Sequence, residues 1–242
     1  MKIAELLKNK KQDIHGAKSI TVAFLGDSVT QGCFELYRSG KEAIETVFET
    51  NKSFSARFKE ILNILYPSVQ INVINSGISG DTTSGGLKRL DRDVLSFNPD
   101  LVVVSFGLND VCVGGEDGLD TYKNNLKEIF SKIKEKGIET VFITQNAMCD
   151  YVRPSISDEI IKIVAERTVK IVEKGLVEKY FEQAKLVCKD FEVEVIDLNS
   201  VWQKLKLNGV DTTMLLSNDI NHPIREYHYY VAIKLIEKIL DL

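Results

Sequence analysis

One run constrains the fold more than any other part of the chain: Ile20-Thr21-Val22-Ala23-Phe24-Leu25-Gly26-Asp27-Ser28-Val29-Thr30-Gln31-Gly32. It opens as an apolar, β-branched segment of strand length, the pattern of a strand buried in a sheet. Gly26 breaks it and delivers Asp27 and Ser28 into a turn. Open α/β sheets place their chemistry at the carboxyl ends of their strands. Ser28, a hydroxyl just past such an end, is therefore a candidate nucleophile.

The rest of the chain supplies further strands and helices in alternation. Phe54 to Tyr66 carries apolar residues at helical spacing and stops at Pro67, and Val69 to Ile74 reads as a second strand. A turn, Asn75 to Thr83, opens a helix over Ser84 to Phe97, broken by Asn98-Pro99-Asp100. Leu101 to Phe106 is the most strand-like run, as expected for a central strand. A glycine-rich loop, Val113 to Gly118, precedes a helix from Leu119 to Lys136, with Gly137 as its cap. Glu139 to Thr144 and Glu192 to Leu198 read as the fourth and fifth strands, separated by a long helical region, Ile160 to Cys188. Residues 33–52 read as a loop with a turn at Gly40-Lys41, and residues 199–221 as irregular with helical turns at Val201 to Leu205. An amphipathic segment at Met1 to Lys8 and a helix from Glu226 to Leu240 close the two ends. Such alternation predicts a parallel five-stranded sheet with helices on both faces, in one domain spanning residues 1–242.

Composition excludes several function classes. The net charge of −4 disfavours nucleic acid and anionic membrane as partners. No apolar run approaches the ~18–20 residues of a membrane span, and the N-terminus lacks the pattern of a secretory signal. Cys33, Cys112, Cys149 and Cys188 are scattered without a C-x-x-C pair, so they read as reduced thiols in a cytoplasmic protein rather than a disulfide framework or a metal site.

Three strand ends carry small and polar residues: Gly26-Asp27-Ser28, Gly77-Ile78-Ser79-Gly80-Asp81 and Gly107-Leu108-Asn109-Asp110. If these strands lie side by side, the three turns line one crevice. Acyl transfer needs a nucleophile, a base, a group that orients the base, and donors for an oxyanion. Ser28 supplies the first and, at a helix start, its own backbone N–H as an oxyanion donor. Gly80 N–H and the Asn109 amide are the further donors. Of the three histidines, His222 lies in a polar loop with Asp219 three residues upstream, so His222 is the expected base and Asp219 the expected acid. His228 reads as a residue packed on the last helix. Asp27, Asp81 and Asp110 read as loop holders that accept backbone N–H groups.

Those blocks resemble the SGNH hydrolases, also called the GDSL esterase/lipase family. Gly26-Asp27-Ser28-Val29 matches the first block, with valine where leucine is frequent. The second is Asn75 to Thr82, with the oxyanion glycine on Gly80. The third is Gly107 to Asp110, with the oxyanion asparagine on Asn109. The last is Asp219-Ile220-Asn221-His222-Pro223. The resemblance spans nearly the whole chain. It implies a flavodoxin-like, three-layer α/β/α sandwich, no cofactor or metal, and hydrolysis of carboxylic esters, without naming a substrate.

The expected activity is thus a serine esterase acting on a small-molecule ester. Candidate substrate-binding residues are Phe34, Glu35, Tyr37, Val111, Tyr151 and Arg153, which border the expected crevice without a long apolar lid. That lining favours short acyl groups, such as acetyl on a sugar, over a lysophospholipase or thioesterase specificity. From another class, a flavodoxin-like module binding phosphate or flavin at the same loops would leave Asp219 and His222 without a task.

Overall fold

The computed structural model describes residues 1–40 and 43–242. In chain order the elements are α1 (Lys2–Gln12), β1 (Ile20–Gly26), a one-turn α2 (Ser28–Gln31), β2 (Cys33–Ser39), β3 (Ala43–Phe48), α3 (Phe54–Leu65), β4 (Ile71–Gly77), α4 (Thr83–Asp93), β5 (Leu101–Ser105), α5 (Leu108–Gly114), α6 (Leu119–Glu135), β6 (Glu139–Thr144), α7 (Glu159–Glu173), α8 (Leu176–Phe191), β7 (Glu194–Asp197), α9 (Leu198–Leu207) and α10 (Arg225–Leu240). Five strands form one parallel sheet in the order β4-β1-β5-β6-β7. β1 lies between β4 and β5, so the three glycine-containing turns do leave neighbouring strands. Gly26 stands opposite Gly77 on one side and Ser105 on the other, which sets the three strand ends level.

Side-chain alternation along the strands divides the core in two. Ile20, Val22 and Phe24 of β1, with Leu101 and Val103 of β5, face a layer containing residues of α1, α3, α9 and α10. Ala23 and Leu25, with Val102 and Val104, face a second layer containing residues of α4, α6 and α8. A strand apolar on both faces is what a sheet covered on both sides requires, and this produces the three-layer sandwich. No helix among the described residues is long and apolar enough to cross a membrane.

Residues 33–52 are not simply a loop. They contain an antiparallel hairpin, β2–β3, separate from the main sheet. Its period-2 signal is masked because the register shifts between Cys33 and Leu36 and because Cys33 and Phe34 are both buried. The turn expected at Gly40-Lys41 falls partly on Lys41, outside the described residues. The helical region 160–188 is two helices, interrupted where Gly175 adopts φ +66°. Helix α9 is longer than the turns expected there, and the Asp197 side chain caps it by accepting from Ser200 N–H. The glycine-rich loop begins later than expected, because α5 starts at Leu108.

Phe24 is wholly buried, with the rings of Phe54 and Phe58 edge-on at centroid separations of 5.6 Å each. Phe24→Ala should lower unfolding stability by about 3–5 kcal/mol. Urea unfolding of the mutant and parent, compared at matched m-value, checks it.

Candidate active site

The end of β1 positions the first group. Asp27 precedes the one-turn helix α2 and caps it, its carboxylate accepting from Val29 N–H at 3.0 Å. Ser28 is therefore the first residue of α2. Gly26 is required by close approach: a Cβ there would stand 2.0 Å from Thr30 Oγ1 and 2.7 Å from the Ser105 carbonyl oxygen.

Ser28 Oγ lies 3.0 Å from His222 Nε2, across 194 residues of chain. The other imidazole nitrogen, Nδ1, lies 2.8 Å from the carbonyl oxygen of Phe34. A carbonyl only accepts, so Nδ1 carries the proton and donates it. Nε2 is left with its lone pair facing the serine hydroxyl. Burial holds the His222 pKa below its ordinary value, while the Phe34 carbonyl and the charge of Glu35 pull the other way. The imidazole is thus neutral at neutral pH, the state a general base needs.

Asp219 does not reach the imidazole. It sits at φ +61° and forms an ion pair with the Arg153 guanidinium. A charged, directional donor competes for a carboxylate better than a neutral imidazole N–H does. Residue spacing made Asp219 the expected acid, but Asp-x-x-His spacing says nothing about a guanidinium arriving from another loop. The loop around His222 is instead built by Asn218, whose Oδ1 accepts from the backbone N–H groups of Ile220, Asn221 and His222 at 3.1, 2.9 and 2.8 Å.

Phe34 enters the site through its backbone. Its ring is buried beneath the Arg225 guanidinium, 4.3 Å from the ring centroid. Arg225 also bonds both carboxylate oxygens of Glu35, at 2.6 and 2.9 Å, and both of Glu49, at 3.0 and 2.6 Å. Arg225 thereby ties the start of α10 to β2 on both sides of the carbonyl that holds His222. Its bonds hold the Glu35 carboxyl below the usual carboxylate range.

The oxyanion candidates are placed as follows. Gly80 is exposed, adopts φ +76° and has open space where a Cβ would stand. The Asn109 amide donates to the Asp81 carbonyl oxygen at 2.9 Å and approaches Asp27 Oδ2 at 3.4 Å. Asp27, Asp81 and Asp110 each accept a backbone N–H, from Val29, Thr82 and Thr83. Burial pushes the carboxyl of Asp27 up to about 7 and that of Asp110 up to about 6. Gln145, which the sequence did not single out, donates from Nε2 to both oxygens of Asp27 at 2.9 Å and accepts from Leu108 N–H at 3.1 Å. A polar side chain at the end of the fourth strand was the available signal.

Of the other candidates, Val111 is fully buried in the second core layer and so forms no wall of the crevice. Tyr37 and Tyr151 are exposed, their hydroxyls donating to Glu45 and Asp211. His228 is buried and accepts from Phe54 N–H through Nδ1 at 3.0 Å, and burial pushes its pKa down to about 3. Cys33, Cys112, Cys149 and Cys188 are unpaired, and burial pushes the thiols of Cys149 and Cys188 up to about 12. Among the described residues no group of three or more His, Cys, Asp and Glu is arranged to hold a metal ion.

Residues 24–228 match the GDSL-like lipase/acylhydrolase family. The chain belongs to that family. It is 31% identical over 115 residues to an arylesterase from Vibrio mimicus, covering 43% of this chain and 56% of that protein. It is 33% identical over 88 residues to an acetylxylan esterase from Geobacillus stearothermophilus, covering 36% and 38%. The chain thus spans little more than half the length of these curated relatives, or less. Among solved structures, the acetyl xylan esterase AlAXEase superposes with a TM-score of 0.66 at 22% identity, over 90% of this chain and 99% of that one. That likeness establishes the shared fold.

The hydrogen bonds at His222 make a direct prediction. A ¹H–¹⁵N spectrum should record this imidazole as the Nδ1–H tautomer, titrating below the ordinary value of 6.5. Titration at or above that value would contradict burial as the dominant influence.

Proposed function

We propose that this chain is a serine esterase working through an acyl-enzyme, with acetyl and other short acyl esters of carbohydrates as its substrates. The observation that carries the reading is the 3.0 Å contact between Ser28 Oγ and His222 Nε2, with the imidazole tautomer fixed from behind by the Phe34 carbonyl. In this reading His222 takes the serine proton as Oγ attacks the ester carbonyl, and returns it to the departing alcohol. Phe34 O does the orienting that Asp219 was expected to do, and stabilises the imidazolium as a dipole rather than a full charge. In this reading Ser28 N–H, Gly80 N–H and the Asn109 amide receive the developing oxyanion, Asn109 exchanging its long bond to Asp27 Oδ2 for it. Water activated by His222 then releases the acid.

Support for the substrate class comes from the acetylxylan esterase relative. The phosphate- or flavin-binding alternative fares poorly on geometry. The N–H groups of Val29, Thr82 and Thr83, at the starts of α2 and α4, already donate to aspartate carboxylates. A phosphate would have to displace those bonds.

Ser28→Ala should lower kcat on p-nitrophenyl acetate by roughly 10⁵–10⁶ with an unchanged unfolding midpoint. A folded mutant retaining near-parental kcat would refute the nucleophile. Activity should fall on the acid side only as His222 gains its proton. Because its pKa is depressed, that limb of the kcat/KM profile should lie at lower pH than for an ordinary histidine.

The placement of Asp219 gives a sharper outcome. Removing a carboxylate that holds a catalytic imidazole costs about 10⁴ in kcat. With Asp219 on Arg153 and Phe34 O on the imidazole, Asp219→Asn should cost less than about tenfold, against the far larger loss for His222→Ala. Steady-state kinetics on the two variants decides the matter.

A further inference from the structure

The Asn109 amide can serve an oxyanion only through its nitrogen. The two ends of an amide are nearly the same shape, so the neighbours decide which end points where. Both neighbours of this nitrogen are acceptors. Nδ2 lies 2.9 Å from the Asp81 carbonyl oxygen and 3.4 Å from Oδ2 of Asp27, the residue before Ser28. The first bond has ordinary length and acts as a pivot. The second is long and weak, so its proton passes to a stronger acceptor at little cost. Turned over, the amide would set Oδ1 against a carbonyl and a carboxylate, neither of which can donate.

Asp27 must therefore stay in place and stay an acceptor, and Gln145 secures both. Gln145 directly follows β6 and is buried. Its Nε2 donates to both Asp27 oxygens at 2.9 Å, and Val29 N–H donates to Oδ1 at 3.0 Å. Among the described residues every hydrogen-bond partner of this carboxyl group is a donor, so a proton on Asp27 would meet no acceptor. The Gln145 amide is itself held in one orientation, because its Oε1 accepts from Leu108 N–H at 3.1 Å. Leu108 opens α5 and is the residue before Asn109. The bonds close a ring that runs from Gln145 to Asp27, on to Asn109, and back through Leu108 to Gln145. One side chain thus fixes the acceptor that orients the Asn109 amide and the backbone that carries it.

We propose that Gln145 is a positioning residue of the oxyanion hole: through Asp27 and Leu108 it keeps the Asn109 nitrogen, and not its oxygen, toward the charge that develops on the ester carbonyl. The assignment rests on the esterase reading and goes beyond it, by naming a residue that acts through Asn109 rather than on the substrate. Such a role raises kcat and leaves ground-state binding alone, because the oxyanion exists only in the transition state.

The test is a double-mutant cycle at about pH 8, where the Asp27 carboxyl, at about 7, is ionised. Parent, Gln145→Met, Asn109→Ala and the double variant are assayed on p-nitrophenyl acetate, with urea unfolding measured on the same preparations. Asn109→Ala should lower kcat by about 10²–10³. Gln145→Met keeps the length of the side chain and removes its hydrogen bonds. It should lower kcat by about 10–100-fold, with KM within about twofold of the parent. The double variant should fall within about threefold of Asn109→Ala alone, since an amide that is gone cannot be misplaced. Losses that multiply in the folded double variant would overturn the proposal. So would a near-parental kcat for either single variant, including a Gln145→Met protein that loses stability while each folded molecule keeps its turnover. If Gln145→Met does not fold, Asp27→Asn takes its place in the cycle, because the introduced amide can donate to Asn109 Oδ1 and permit the flip. The same losses and the same non-additivity are then expected, and multiplied losses again overturn the role. A parent that hydrolyses neither p-nitrophenyl acetate nor longer p-nitrophenyl esters sinks the esterase reading, and the proposal with it. An active parent with multiplied losses sinks the role of Gln145 alone.

Discussion

A single buried guanidinium holds the carboxyl edge of the sheet together. Arg89, on α4, donates to the Gly26 carbonyl at 2.9 Å, to the Ser76 carbonyl at 2.6 Å and to Asp81 Oδ2 at 2.8 Å. It therefore clamps the last turns of β1 and β4 and the loop that leads into α4. The planar fork suits this task, since a lysine ammonium could not span three acceptors in fixed directions. Breaking a buried pair of this kind typically costs about 3–5 kcal/mol, because the partner charge is left without compensation. The turn that carries Ser28 and the turn that carries Gly80 keep their separation through this side chain together with the bonds of Ile78 N–H to the Gly26 carbonyl, Asn75 to the Thr30 carbonyl and Ser79 N–H to Gln31.

A second polar network joins Asp27, Gln145 and Asn109. Gln145 joins the end of β6 to Asp27 and to the start of α5, so three strand ends and two helix starts share one hydrogen-bonded network. Buried networks of this type rigidify when fully satisfied. The Ser28 backbone is held from beneath, while His222 is held from the side by an element outside the main sheet.

Legibility in the sequence followed the locality of each signal. β1 and β5 were evident because burial on both faces leaves an unbroken apolar run, and the strand-end turns followed from their glycines. Ser28 and His222 were legible as residue types at turn positions, and the structure brings them into contact. The β2–β3 hairpin was not legible, since a register shift hides its alternation. Phe34 could not be found as an orienting group, because a backbone carbonyl leaves no mark in residue type. The competition for Asp219 was equally hidden, as it depends on Arg153 arriving from a loop 66 residues upstream. Arg89 and Arg225 were invisible for a related reason: both act by reaching across elements, and neither disturbs the periodicity of its own helix.

The hairpin's attachment has a thermal consequence. β3 is mostly exposed, and β2 meets α10 through Arg225, which bonds Glu35 and covers the Phe34 ring, and through His228, whose ring packs on Phe34. The sandwich beneath has two full core layers. Only the base of β2, Cys33 and Phe34, is fully buried, and a hairpin whose outer part has few buried apolar contacts opens at lower free energy than the globule that bears it. Once β2 lifts, His222 loses the acceptor for its Nδ1 proton and with it the preference for one tautomer. On heating, inactivation would then precede unfolding and would reverse on cooling, with the catalytic base melting as a unit separate from the fold.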